Sequence, residues 1–304
     1  MEITPQLKVP SYRRQVTLTQ IFVNAILILI SLLYLMPLVV VISASLTDET
    51  SLAKKGYSLL PSQFSTFAYE FILRDPQRIV SAYAVTITVT VIGTLLGVLI
   101  MSLLAYALSR PEFKWRKPIS FILIFTMLFN GGLVPTYYVI TQVLHLKDTL
   151  LVLIVPMLVI PWFVFILRTF FISLPQELVE AARIDGADEF RTFFQIVLPL
   201  STPVLATVGL FCILMYWNDW WLSLLYINKP ELYPLQYLLF SIMRNVEFLT
   251  SSNSTATGLL TGVKVPTQTL RMAMVVIAMG PIVLVFLSLQ RYFIRGILVG
   301  GVKG

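Results

Sequence analysis

The sequence predicts an all-α membrane protein with six transmembrane helices and both termini on the cytoplasmic side. Three observations carry this. The 304 residues are 57% hydrophobic and 12% charged, against roughly 25% charged in a soluble domain, and the mean hydropathy is +0.85. Six apolar runs are long enough to cross a hydrocarbon layer of roughly 30 Å, which takes about 20 helical residues. Lysines and arginines fall unevenly on alternate connecting segments. So apolar a chain cannot present a water-compatible surface, which excludes a soluble enzyme, a nucleic-acid binder and a disordered polypeptide. Cys212 and His145 are the sole residues of their types, which excludes an intramolecular disulfide, a thiolate cluster and a His-based zinc site.

The apolar runs are about 20–45, 82–108, 118–141, 149–170, 197–217 and 271–291. The first follows Lys8, Arg13 and Arg14, an arrangement that resembles a signal peptide. Its apolar stretch is too long for one and no Ala-x-Ala site follows, so it is read as retained, after a cytoplasmic segment 1–19. Span two contains Gly93 and Gly97, a GxxxG spacing that is either a packing seam or a chance match. Pro37, Pro135, Pro156, Pro161 and Pro281 remove helix hydrogen bonds inside the spans. With the N-terminus inside, the cytoplasmic segments hold 13 of the 22 basic residues on the shorter total of loop. These are Lys8, Arg13, Arg14, Arg110, Lys114, Arg116, Lys117, Arg168, Arg183, Arg191, Arg291, Arg295 and Lys303. The net charge of +7 is therefore a cytoplasmic bias. The membrane domain is 20–295, with a cytoplasmic loop at 171–196, a long outer loop at 228–268 and a cytoplasmic tail at 296–304.

All 15 acidic residues lie in loops or at span ends. An ion-coupled carrier needs a carboxylate inside the membrane, so a secondary carrier is disfavoured. No GxxxxGK[ST] phosphate loop occurs; the nearest string, Gly258 to Lys264, has the wrong spacing. Uphill transport by this chain needs a partner that supplies the energy.

The loop after span four is polar yet helical by local rules. Ser173 and Gln176 form a capping-box pattern with Pro175 in the first turn. Glu177, Leu178, Glu180, Ala181 and Ala182 are good helix formers, and Gly186 suits a left-handed stop. Asp188 then caps a second helix through Phe190, Phe193 and Phe194 into span five. Ala181 and Ala182 leave a flat surface for a bulky partner. The other reading is an amphipathic helix lying on headgroups.

Glu180-Ala181-Ala182, three residues, Gly186, nine residues, then Ile196-Val197-Leu198-Pro199 reproduce the EAA signature of ATP-binding-cassette (ABC) importer permeases. The chain resembles their carbohydrate-uptake branch, in particular the six-span, smaller permease of maltose-type importers, over about 20–295. Phe129-Asn130-Gly131-Gly132-Leu133-Val134-Pro135-Thr136-Tyr137 and Trp217-Asn218-Asp219-Trp220 are similar to the oligo- and polysaccharide branch. The resemblance implies a type I importer fold whose coupling helix docks on a cytoplasmic ATPase through Glu180, Ala181, Ala182, Asp185, Gly186 and Ala187. It implies a second homologous permease, two ATPase subunits that bind ATP and Mg, an extracytoplasmic sugar-binding protein and a bacterial cytoplasmic membrane. No cofactor in this chain, no nucleic acid and no catalysis are expected.

Weaker candidates remain open between two readings. Trp217, Asn218, Trp220 and Trp221 can line a sugar path, or the tryptophans can form an interfacial aromatic belt. Asn130, Tyr137 and Tyr138 can bond sugar hydroxyls, or Asn130 can close a helix break on its own backbone. The outer loop can meet the sugar-binding protein through its Thr250–Gly258 stretch, or serve as a connector. The tail 299–304 can reach the ATPase, or fray. His145 is read as solvated, Cys212 as packed, and the sequon Asn253-Ser254-Thr255 as a chance match.

Overall fold

The computed structural model describes residues 18–251 and 266–301, with side chains described for these except Gln176, 249–251 and 288–301. The basic N-terminal segment, the sequon, Ser252–Lys264 and Lys303 therefore lie outside the described residues. Those described are helical apart from turns and one isolated antiparallel bridge, Thr47 to Phe64.

Three helices are continuous, apolar and long enough to cross a membrane: α1 (Leu18–Ser45), α4 (Pro76–Ser109) and α15 (Gln268–Gly301). Between α1 and α4 lie two short helices, α2 (Glu49–Lys55) and α3 (Phe67–Ile72). Asp48 starts α2 by accepting the Thr50 and Ser51 N–H groups at 3.0 and 3.2 Å. The other three apolar runs are bent pairs. α5 (Arg116–Leu128) meets α6 (Leu133–Tyr138) and its π-helical continuation at 118°. α7 (Leu151–Ile154) and a 3₁₀ turn meet α8 (Pro161–Ser173) at 50°. After α9 (Gln176–Ile184), a segment of α10 (Glu189–Thr192), a π turn and α11 (Leu198–Leu200) meets α12 (Thr202–Trp217) at 81°. α13 (Trp221–Tyr226) and α14 (Leu235–Ser251) follow.

Each bend has a local cause. At the α5–α6 break Gly132 has φ +88°, a conformation that only glycine adopts without strain. Asn130 Oδ1 accepts the Gly132 N–H at 2.8 Å, so the freed backbone is satisfied by the loop itself. Pro156 sits in the 3₁₀ turn and Pro161 opens α8, where a missing N–H costs nothing. Pro203 cannot donate to the Pro199 carbonyl, which takes the Thr202 hydroxyl at 2.7 Å instead.

α4 runs through the centre and packs chiefly on α8 and α12. Its Gly93 and Gly97 are a packing seam. A Cβ on Gly93 would lie 2.5 Å from the Tyr216 ring, and one on Gly97 3.2 Å from the Leu158 carbonyl oxygen. The Tyr216 hydroxyl continues past Gly93 to donate to the Ile154 carbonyl at 3.0 Å, where α7 gives way to the 3₁₀ turn. Pro281 inside α15 leaves the Ile277 carbonyl without its helical donor. The Tyr83 hydroxyl of α4 fills that place at 2.7 Å, and Trp217 Nε1 of α12 donates to the next carbonyl, Ala278, at 3.0 Å. Cys212 is packed in the core with Phe163, Phe193 and Val208. α1 packs on α15 and otherwise exposes apolar side chains from Leu18 to Ile42, a surface suited to lipid.

Two features add to the sequence-based expectation. The outer loop 228–268 contains a 17-residue helix, α14. Its apolar residues Leu235, Leu238, Leu239 and Val246 are buried against α3, α4 and α15, and that burial holds the helix against the bundle. The tail expected from 296 is helical backbone through Gly301, because α15 continues unbroken past the apolar run.

Candidate functional site

The polar loop between α8 and α12 forms a helix, a glycine turn and a second helix, as its sequence requires. Its start differs from expectation. Ser173 is the last residue of α8, and its hydroxyl bonds back to the Phe170 carbonyl at 2.7 Å. That local bond takes the serine out of a capping role, and α9 begins instead after extended Leu174 and Pro175, with no side-chain cap. α9 buries Val179 and Ala182 and exposes Glu180, Ala181 and Ile184. Ala182 is therefore packed inward, and the exposed face centres on Ala181.

The end of α9 is a Schellman motif. The Ala187 N–H reaches the Ala182 carbonyl at 2.9 Å, and the Gly186 N–H the Arg183 carbonyl at 3.0 Å. Gly186 sits at φ +80°, and a Cβ added there would meet nothing within 4 Å. Asp185 precedes it as the cap residue, its N–H on the Ala181 carbonyl at 3.0 Å. Asp188 Oδ1 accepts the Arg191 N–H at 2.7 Å and starts α10.

Arg183 ties this turn to the rest of the chain. Its guanidinium bonds Glu189 Oε1 at 2.8 Å and Glu112 Oε1 at 3.2 Å, in the α4–α5 connection. These bonds, Glu189 first, raise the Arg183 pKa. The Glu112 carboxyl is held below its usual range by its own backbone N–H and then by Arg183. The Tyr106 hydroxyl of α4 donates to Glu189 Oε2, while Arg110 donates to Tyr106 at 2.9 Å and lies over its ring at 4.4 Å. A cavity of about 380 Å³ lies behind this cluster, between Leu103, Phe113, Phe190 and Phe193. Arg183, and the exposed apolar residues Ile184 at 85% and Phe190 at 68%, are functional candidates that the sequence does not single out. The one signal is an isoleucine on the polar side of an amphipathic helix.

The sugar-path candidates fall in two places. At the α5–α6 break Asn130 is exposed but its oxygen is engaged by Gly132. Tyr138 is exposed, and Tyr137 stacks on Tyr226 of α13 at 5.5 Å. At the end of α12 remote from the polar loop, Trp217 is 4% exposed with its N–H on Ala278. Asn218 and Trp220 are exposed. Trp220 stacks on Phe240 of α14 at 4.7 Å and meets Trp221 edge-on at 5.7 Å. Burial pushes the Asp219 carboxyl up to about 6, against the N–H groups of Leu222 and Trp221 that favour its charged form. Phe240 joins this group from α14, inside the segment 228–268 that the sequence places as an outer loop.

Binding-protein-dependent transport system inner membrane components match this chain over residues 115–299. The polygalacturonan/rhamnogalacturonan transport system permease protein YtcP of Bacillus subtilis (strain 168) is 36% identical over 288 residues, covering 94% of this chain and 99% of that protein. The arabinooligosaccharides transport system permease protein AraQ of Halalkalibacterium halodurans is 30% identical over 280 residues, covering 90% of this chain and 93% of that protein. Among solved structures, a chain from a bacterial ABC transporter involved in the import of the acidic polysaccharide alginate superposes with a TM-score of 0.75 at 28% identity, covering 94% of this chain and 100% of its own. The chain thus belongs to the binding-protein-dependent transport system inner membrane components, a family of ABC-transporter permeases.

Proposed function

We propose that the chain is the six-span, N-in/C-in permease subunit of an ATP-driven carbohydrate importer in a bacterial cytoplasmic membrane, carrying an oligo- or polysaccharide. Counting each bent pair as one span gives six, and the arginine and lysine bias favours the N-in orientation. Relatives named for polygalacturonan/rhamnogalacturonan and arabinooligosaccharides support the substrate class. The subunit works with a second permease, two ATPase subunits that hold ATP and Mg, and an extracytoplasmic sugar-binding protein.

The observation that carries this reading is the rigid unit from α9 to α10. Glu180, Ala181, Asp185, Gly186 and Ala187 present a short helix closed by a Schellman turn, with Ile184 projecting beside them. In this reading that face seats in a groove of the ATPase. Ala182 supports it from within. Arg183 passes the motion to α4 and α5 through Glu189 and Glu112. A capped helix moves as a body, whereas a flexible loop absorbs displacement. Asn130, Tyr137, Tyr138, Asn218 and Trp220 belong to the sugar path, and Trp217 serves it as the clamp on α15.

The test is Glu180→Lys, which keeps helix propensity and alters no apolar run. The variant inserts normally, and the ATPase no longer co-purifies with it and sugar uptake is lost. Wild-type co-purification and uptake overturn the coupling assignment. Uptake by this chain without any ATPase supports a secondary carrier instead.

A further inference from the structure

Gln236, Phe240 and Arg244 stand four residues apart on α14, so they line one helix face. Their separation from first to last is roughly 12 Å at 1.5 Å per residue. The row is built rather than incidental. Gln236 Nε2 donates to Asn218 Oδ1 at 3.4 Å, tying α14 to the end of α12. The Trp220 indole lies over Phe240 with 29° between the planes. The neighbouring side chains Leu235, Tyr237, Leu238 and Leu239 are buried, while Trp220 and Phe240 stay 38% and 37% exposed. The face therefore offers an amide pair, an aromatic pair and a guanidinium in sequence.

The charge at the end of the row is available. Arg244 is exposed and takes part in no ion pair among the described residues. Glu247, the nearest acid along α14, is paired with Arg271. Asp219 turns its carboxylate to the Leu222 N–H. Each group has a partner on a saccharide that carries acid groups. Ring C–H faces stack on aromatic planes, hydroxyls bond amides, and a carboxylate takes a guanidinium bidentately. A neutral sugar leaves Arg244 without use.

We propose that this row is a subsite for an anionic saccharide, whose carboxylate pairs with Arg244 while an adjacent ring packs on Trp220 and Phe240. The proposal rests on the transport reading and names the substrate class of its path. Arg244 selects the acid; Phe240 and Trp220 hold the ring whatever its charge.

The experiment uses the complete importer, with its partner permease, ATPase subunits and binding protein, in sealed vesicles. Uptake of short oligogalacturonates and oligoalginates is compared with that of their methyl esters, which lack the charge. The wild type prefers the acids. Arg244→Gln lowers the acid-to-ester uptake ratio about tenfold, as expected for one charge-assisted hydrogen-bonded pair, and Arg244→Lys restores part of it. Phe240→Leu lowers uptake of acid and ester together and leaves the ratio. An unchanged ratio in Arg244→Gln overturns the proposal. So does a wild type that carries neutral esters and no acids, which leaves the transport reading standing. Uptake of neither class by an assembled importer that carries a neutral arabinooligosaccharide overturns the proposal alone, and uptake of no saccharide at all overturns both.

Discussion

Gly186 offers a perturbation whose energy is conformational alone. Its φ is +80°, and an added Cβ would meet no atom within 4 Å. No clash, cavity or lost contact therefore enters the comparison. An L-residue in this left-handed region costs about 1–2 kcal/mol. Asparagine costs less because it tolerates the region, and valine costs more because its β-branch is restricted. The strain is relieved if the last turn of α9 unwinds, which breaks the Ala187 to Ala182 and Gly186 to Arg183 bonds. Docking on the ATPase then has to restore the turn, so the strain appears as lost affinity, a factor of about 5–30 for alanine. The assay is the ATPase retained on purified permease at fixed detergent and salt, together with uptake. The expected order of loss is Gly186→Asn, Gly186→Ala, Gly186→Val, with all three inserted at the wild-type level. Equal retention across the series, at the wild-type level, refutes the reasoning, since it means that the turn is not part of the docking face.

Two further perturbations test the frame that holds the site. Glu49 of α2 caps the start of α15 with four bonds, from the Thr267 hydroxyl at 3.0 Å, the Gln268 N–H at 3.0 Å, and the Thr269 N–H and hydroxyl at 2.9 and 2.7 Å. Burial alone would raise its pKa, but these donors favour the charged form and the net shift is downward. Its stabilisation is therefore complete above the unfolded value near 4.5 and is lost as pH falls through the lower folded value. Glu49→Gln lowers stability by about 1–2 kcal/mol at neutral pH, and the gap to wild type closes in acid; thermal unfolding of the purified protein from pH 7 downward measures it, and a gap that is constant with pH contradicts the assignment. Gly93→Ala forces a methyl to within 2.5 Å of the Tyr216 ring and costs about 1–3 kcal/mol. Gly209→Ala, whose nearest neighbour would be 3.9 Å away, is the matched comparison, and equal melting temperatures for the two contradict the seam.

The apolar runs and the Gly186 turn are readable in the sequence because each depends on a local rule. A run of apolar residues has one stable solution in lipid, and a glycine after a run of helix formers stops a helix. The capping of Asp188 follows from an equally short-range pattern, whereas the Gly93 and Gly97 spacing stays open in the sequence until Tyr216 and Leu158 are seen against it. What is not legible depends on distant partners. Ser173 matches a capping box, but its hydroxyl finds the Phe170 carbonyl one turn back, and sequence alone does not rank the two bonds. Trp217 reads as either a sugar contact or a belt residue. Its buried role follows from Pro281, 64 positions along the chain, which frees the carbonyl end that Tyr83 and Trp217 share. α14 is hidden because Gln236, Arg244 and Glu247 interrupt its apolar residues short of a spanning run, and their meeting with α3 and α15 depends on distant partners. Ile184 and Phe190 stand out only once they are seen to be exposed while Val179, Ala182 and Phe193 of the same unit are buried.

These distant contacts are also what make a membrane bundle able to pass a displacement from one end to the other. Arg183 fixes the α9 turn to Glu112 and Glu189, and Glu189 holds Tyr106 near the end of α4. Along α4, Gly93 lets the Tyr216 ring of α12 approach and carry its hydroxyl to the α7–α8 bend. Near the far end, Tyr83 of α4 and Trp217 of α12 close on the kink of α15. Every joint in this series is a directional hydrogen bond or a contact too close to slide, and those of Tyr216 and Tyr83 lie where Gly93 or Pro281 has opened a helix surface. Packed interiors respond to force by shifting as bodies rather than by deforming continuously. On the proposed reading, a displacement applied at α9 would reach α4 first and then the bends of the α7–α8 and α12 pairs, where carbonyls have partners off the helix. The prolines and Gly132 thus set where the spans bend, and on the proposed reading Tyr83, Tyr216 and Trp217, which bond at or beside those bends, would set which helices move together.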